Sequence, residues 1–303
     1  MLLIPNYYKE LGIAMQTFVT TQTVLLVLFK IQRWIRRRDT IVQIVRSTRN
    51  IIHFGPWRKA VLAWKRRGFD PSRYAQALDG SVLGPDLDVA AVVSAVEAKG
   101  FSLGCRLPPD LIAQLQELTT RLGDGSHVEM HRRYSIFDKI ARNSDVLQVV
   151  RQYFGCEPFL IECKLFVDIV GKDDPLSSGF HFDHAGARSL NMLVYLTDVD
   201  SDTAPHVVIQ GTQTGKRLWD FFREYIPVNE MKRRFPGRIK TITGPAGTVI
   251  FENTEMFHMR QAGTKRRALL NIVYSTRGKR LLSLGRDMPR VWSRESLEIN
   301  EPL

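Results

Sequence analysis

The chain has 303 residues, 44% of them hydrophobic and 24% charged, with a formal net charge of +12. This composition excludes a disordered chain and leaves room for one sizeable core plus an appendage, or for two small domains. Three cysteines (Cys105, Cys156 and Cys163) without C-x-x-C spacing argue against a disulfide framework and a cysteine zinc site, and fit a reducing compartment.

The first predicted element is an uncharged run over residues 11–29, LGIAMQTFVTTQTVLLVLF, just long enough as a helix to span a hydrocarbon core. Lys30, Arg33, Arg36, Arg37 and Arg38 follow, with Trp34 among them. That arrangement reads as the cytoplasmic flank of a membrane segment. Gln16, Thr17, Thr20, Thr21, Gln22 and Thr23 make the first half polar. An interfacial helix and an ordinary soluble helix therefore stay open beside a spanning one. A cleaved signal peptide is not expected, because the start MLLIPNYYKE is not basic and the charges follow the apolar run.

Residues 30–67 hold twelve Lys and Arg against one acid, Asp39, so this window carries +11 of the total +12. Within it, Ile41, Ile44, Val45, Ile51 and Ile52 share one helical face, as do Trp57, Val61, Leu62 and Trp64. Basic amphipathic helices with tryptophan suit an anionic membrane surface, here through residues 11–67. Nucleic acid is the weaker expectation because the basic run abuts the apolar one. A solvated helical face is the plain alternative. The expected organisation is an apolar helix with a basic flank (1–38), basic amphipathic helices and a linker (39–83), and a catalytic domain (84–303). The Gly, Pro and Asp of residues 68–90 mark the linker.

In the third part, Val89, Val92, Val93 and Val96 set a helical period that ends at Lys99-Gly100. FSLGCRL then reads as a strand, PPD opens a helix through Leu111, Leu115 and Leu118, and another helix is expected over 143–154. Strands are predicted at 159–170, 189–199 and 206–211, and in IKTITG, GTVIFEN and RALLNIVYS. Short strands joined by Gly/Pro/Asp turns predict a mainly β fold with flanking helices, a barrel or double-sheet jelly roll. Residues 215–236 read as a helical insertion whose Trp219, Phe221, Phe222 and Tyr225 form either a packing face or a lid.

The chemistry concentrates in GFHFDHAGARSL, residues 179–190. On a strand, His181 and Asp183 share one face and Phe182 takes the other. Two histidines and one carboxylate with open positions opposite are the facial triad of non-haem Fe(II) oxygenases, and His258 is the obvious third ligand. Zinc would accept the same donors. Arg267 opens the next strand. Its planar fork suits the far carboxylate of a 2-oxoglutarate cosubstrate, although Arg266 is adjacent. Lys164 and Asn191 lie on strands that line the cosubstrate end, or else face solvent. His184 has the wrong parity for a ligand and reads as a neighbour of the site or a surface residue. His206 follows Pro205 in a turn, where capping or packing is expected. Glu252 and Glu255 flank His258 and are candidates to orient it.

LVYLTDVDSDTAPHVVIQGTQ (193–213), ITGPAGTVIFENTEMFH (242–258) and RRALLNIVYS (266–275), following the H-x-D, resemble the phytanoyl-CoA dioxygenase superfamily of Fe(II)/2-oxoglutarate oxygenases over roughly residues 90–280. The resemblance implies a cupin-like double-stranded β-helix, with Fe(II) held by His181, Asp183 and His258. It also implies 2-oxoglutarate held by Arg267, which lies seven residues before the aromatic Tyr274. With O2, such a dioxygenase would hydroxylate an aliphatic C–H of a small-molecule or lipid-linked substrate, releasing succinate and CO2. The presence of Asp183 implies hydroxylation and not halogenation. Residues 210–213, QGTQ, depart from the usual turn and leave the substrate open. The rival expectation is a catalytically weak jelly roll recruited to membrane or RNA by its basic arm. Joined to that arm, the enzyme is expected on the cytoplasmic side of a membrane, or otherwise in the cytoplasm.

Overall fold

Residues with helical spacing between 89 and 154 form one layer, and the alternating segments after 159 form the sheets beneath it. The structure is a computed structural model that describes residues 55, 57–70, 81–84, 87–168, 171, 177, 179–183 and 186–276. The predicted anchor at 11–29, its basic flank and His184 lie outside the described residues. Among the described residues, no helix is long and apolar enough to cross a membrane.

Helix α1 (Trp57–Lys65) precedes the linker. Asp88 then caps α2 (Val89–Lys99) by accepting the Ala91 N–H at 2.9 Å, and Gly100 closes it at φ 92°. A Cβ on Gly100 would lie 2.5 Å from Met256 Sδ, so close approach as well as the left-handed turn selects glycine. Strand β1 (Phe101–Ser102), α3 (Pro109–Leu122), β2 (Gly125–His127), α4 (Met130–Arg133), α5 (Ser135–Ala141) and α6 (Ser144–Phe154) follow. They bury Phe137, Val149, Val150 and Phe154 completely, together with Leu190, Met192 and Val194 from the sheet. Each such side chain contributes about 1.5–3 kcal/mol through its removal from water.

The strands are β3 (Phe159–Asp168), β4 (Ser189–Tyr195), β5 (His206–Ile209), β6 (Ile239–Ile242), β7 (Val249–Glu252), β8 (His258–Arg260) and β9 (Arg267–Ser275). Among the described residues they form a six-stranded sheet, β1-β7-β4-β9-β3-β2, facing a three-stranded one, β6-β5-β8. Every pairing is antiparallel. Side-chain alternation assigns the faces. On β4, Leu190, Met192 and Val194 meet the helices, while Leu193 and Tyr195 meet Val208, Ile242, Ile250 and Leu269 between the sheets. This is the expected mainly β, jelly-roll architecture with helices on one side.

Several expectations change. The predicted strand FSLGCRL is β at Phe101–Ser102 and again at a single Arg106–Thr248 bridge, with Gly104 turning the chain between them at φ 115°. The strand predicted over 189–199 ends at Tyr195. The insertion is not one helix. A 3-10 turn, Leu218–Phe222, and α7 (Val228–Arg234) flank Ile226, which pairs with Phe180 as an extended rung. Pro227 stands between rung and helix, so no continuous helix can form there. The short elements α4, α5 and β8 carry too few residues to show a period.

Helix α1 also makes polar contacts with the rest of the domain. Its Arg58 donates to the Ala187 carbonyl and pairs with Glu255, and Arg66 just beyond it donates to the Phe154 carbonyl at 2.8 Å. The basic segment therefore docks on the β domain at its carboxyl end.

Candidate metal centre

Two separated stretches must meet for His181, Asp183 and His258 to form a site. Gly179 makes the first contact possible: a Cβ there would lie 2.6 Å from the Ile226 carbonyl oxygen. Phe180 and Ile226 then exchange backbone hydrogen bonds of 2.9 and 2.8 Å. His181 and His258 exchange another pair, also at 2.9 and 2.8 Å, so residues 180–181 extend the smaller sheet past β8. One rung on, the Asp183 N–H donates to the Thr254 carbonyl at 2.8 Å. Phe182 points away from the ligands, its ring 5.5 Å from both Phe221 and Phe257.

The result is a cluster in which one ligand atom from each of His181, Asp183 and His258 lies within 4.8 Å of the others. The His258 Nδ1 donates to the Met256 carbonyl at 3.0 Å, which leaves Nε2 as the lone-pair nitrogen, 3.6 Å from Asp183 Oδ2. The His181 ring packs edge-on against His258 and Tyr225, with centroids 4.4 and 5.5 Å away. Its Nδ1 is buried with no hydrogen-bond partner. Asp183 is half exposed, its side chain at 51%, so the cluster opens outward on the carboxylate side.

Electrostatics separates the two imidazoles. Burial, then the neighbouring His258, pushes His181 down to about 4, so its ring is neutral and a donor of electron pairs. Burial also opposes a proton on His258, but Asp183 and Glu252 outweigh it and lift the group to about 9. Without a cation, the proton on His258 does part of a cation's work between two carboxylates. Metal binding must displace that proton. Calorimetry of a divalent cation in buffers of different ionisation enthalpy should show about one proton released per ion near pH 7. Affinity should fall by up to about tenfold per pH unit as pH drops below 9. The metal-free protein should show the opposite trend. Its His258–Asp183 pair stabilises fully below the ordinary value of 6.5 and is lost as pH rises through about 9. A cation affinity that is flat from pH 6 to 9 would contradict this picture.

The inner face of the barrel carries more than the triad. Glu252 on β7 is fully buried; its Oε2 lies 2.7 Å from His206 Nε2 and its Oε1 3.8 Å from His258 Nδ1. Burial would raise this carboxyl, yet His206 and then His258 hold it below its usual value. His206 thus does not sit in a turn. It opens β5, and counting back from Val208 puts it on the same inward face. The Glu255 carboxylate pairs with Arg58 and not directly with His258.

Arg267 is fully buried on β9, on the same face as Leu269, Asn271 and Val273. Its Nη1 donates to the Ala204 carbonyl. Arg266 points outward to Asp124 at 2.6 Å. Lys164 faces inward from β3, paired with Glu162 at 2.7 Å and about a quarter exposed. Asn191 is buried on β4 beside Glu252, donates to Asn271 Oδ1 at 3.1 Å, and leaves its own Oδ1 without a partner. Of the insertion's aromatics, Phe221 packs on Phe182 and Tyr225 on His181, while Trp219 is 73% exposed.

No protein-family model and no curated protein matches the chain. Solved structures do. The non-heme alpha ketoglutarate dependent epimerase SnoN from nogalamycin biosynthesis superposes with a TM-score of 0.51 at 13% identity, over 61% of this chain and 82% of that one. HygX from Streptomyces hygroscopicus with iron bound gives 0.47 at 13% identity, over 61% and 85%. EctD from S. alaskensis with bound Fe gives 0.48 at 20% identity, over 66% and 81%. The sheets that bring His181, Asp183 and His258 together therefore have the fold of the SnoN epimerase.

Proposed function

We propose that the chain is an Fe(II)- and 2-oxoglutarate-dependent oxygenase of the phytanoyl-CoA dioxygenase kind. It hydroxylates an aliphatic C–H of a small-molecule or lipid-linked substrate. The observation that carries the reading is the gathering of two imidazoles and one carboxylate within 4.8 Å on the edge of a jelly roll whose interior also buries Arg267. The donor set suits the metal: two neutral nitrogens and one anionic oxygen on one side leave adjacent positions open for exchangeable ligands. The buried, unpartnered Nδ1 of His181 is a polar atom of the kind such an ion satisfies.

With iron, 2-oxoglutarate and O2 bound, the site would supply oxidative chemistry at an unactivated C–H, with succinate and CO2 as the co-products. The protein's own residues bind and orient. His181, Asp183 and His258 hold the ion. The Met256 carbonyl keeps the His258 proton on Nδ1 and its lone pair on Nε2. Arg267, buried on the inner face, would hold the far carboxylate of the cosubstrate, where burial strengthens a charge-assisted bond. Asn191 and Lys164 offer a carbonyl oxygen and an ammonium on the same inner face. Leu193, Tyr195 and Leu269 keep that interior dry. The uncharged run at 11–29 with its basic flank supports a chain held at a membrane surface, which keeps lipid-linked molecules in the substrate class.

The test is anaerobic. Protein loaded with Fe(II) and titrated with 2-oxoglutarate should develop the weak visible charge-transfer band of the chelated cosubstrate. Iron bound without a band removes the cosubstrate from the proposal. Failure to bind iron would reduce His181 and Asp183 to a polar strand end.

A further inference from the structure

The two ligand-bearing stretches are joined by few backbone bonds. Their ladder consists of the His181–His258 rung and the single Asp183-to-Thr254 bond beyond it. Ala187 lies four residues after Asp183 in the sequence, and Glu255 directly follows Thr254. These two residues meet on one side chain that belongs to neither stretch. Arg58 of α1 donates through Nε and Nη2 to the Ala187 carbonyl, at 2.9 and 2.7 Å, and through Nη2 to the Glu255 carboxylate. Its partners lie 129 and 197 positions away in the chain.

The pair is largely dehydrated, with side-chain exposures of 14% for Arg58 and 8% for Glu255. A bond between charged groups in such a place is strong, and losing one partner leaves the other charge stranded. We infer that Arg58 is a positioning residue for the metal centre: the helix ahead of the β domain clamps Ala187, four residues after Asp183, to Glu255, three residues before His258. The inference rests on the metal reading above, and it gives the basic arm a role in the site that membrane attachment does not require. The geometry separates Arg58 from its neighbour Arg66. Arg66 also docks the helix, but on the Phe154 carbonyl at the end of α6, not on Ala187 or Glu255.

The test uses full-length protein and two readouts. In metal-free protein, amide hydrogen exchange at His181, Asp183 and His258 should speed up by tenfold or more in Arg58→Ala, while Arg66→Ala leaves it within about twofold. With Co(II) as the probe ion, Kd should rise by tenfold or more in Arg58→Ala and Glu255→Gln. The Co(II) visible spectrum should change with it, and Arg58→Lys, which keeps charge without the fork, should fall between. Equal effects from Arg66→Ala would mean a general loss of docking and overturn the clamp. So would unchanged exchange in Arg58→Ala. If Arg58→Ala does not melt cooperatively, Glu255→Gln decides by the same two readouts. A wild type that binds no Co(II) removes the proposed function, while the metal-free exchange comparison still decides whether Arg58 acts as the clamp.

Discussion

Replacing His181 with alanine should abolish tight metal binding while leaving the protein folded. The backbone rung to His258 does not depend on the side chain, and the lost ring contacts are those with Tyr225 and His258. What disappears is one of three donors. Apparent binding energies of about 10–16 kcal/mol, shared among four ligands in small zinc domains, put each at roughly 3 kcal/mol. The expected loss is thus on the order of 100-fold in affinity, more where chelation is cooperative. Calorimetry with Co(II) or Fe(II) measures it, and thermal melting of the metal-free variant checks the fold. Substrate-dependent succinate formation should vanish in parallel. If that activity survives His181→Ala, the triad is not the catalytic centre.

Arg267→Ala should separate the cosubstrate from the metal. Two charge-assisted hydrogen bonds of about 1.5–3 kcal/mol each predict a fall in 2-oxoglutarate affinity of roughly a hundredfold to ten-thousandfold. Metal affinity should stay within a few-fold, since Arg267 is not among the ligand atoms. The substitution also removes a fully buried side chain that bonds the Ala204 carbonyl, so a lower melting temperature is expected with it. Arg267→Lys tests the distinction: it keeps a cation but loses the planar fork, and should recover only part of the affinity. An unchanged 2-oxoglutarate titration in Arg267→Ala would move the carboxylate clamp elsewhere. Arg266→Ala, which loses only an exposed pair with Asp124, serves as the control.

Much of the site was legible because strand parity is local. His181, Phe182 and Asp183 alternate as a strand dictates, so the ligands and the apolar residue between them separate without knowledge of the fold. Alternation alone requires only that Arg266 and Arg267 take opposite faces; the structure turns Arg267 inward with Leu269 and Arg266 outward. Helix α2 could be read to its last residue because its valines repeat and Gly100 stops it. His206 was expected both at the start of the strand over 206–211 and in a turn after Pro205; β5 begins at His206, so the strand reading holds and the turn reading does not.

What the sequence by itself determined, then, is that His181 and Asp183 share one face with Phe182 on the other, and that positive charge is concentrated ahead of the domain. These follow from periodicity, spacing and composition, which need no distant partner. Only the tertiary structure decided which faces meet. Glu252 reaches His206 across 46 positions, and Arg58 reaches Glu255 across 197. Such pairings are set by sheet register and by how two sheets close over an apolar interior. No local pattern in the chain encodes them, because a one-residue slip in any strand would bury the opposite set of side chains.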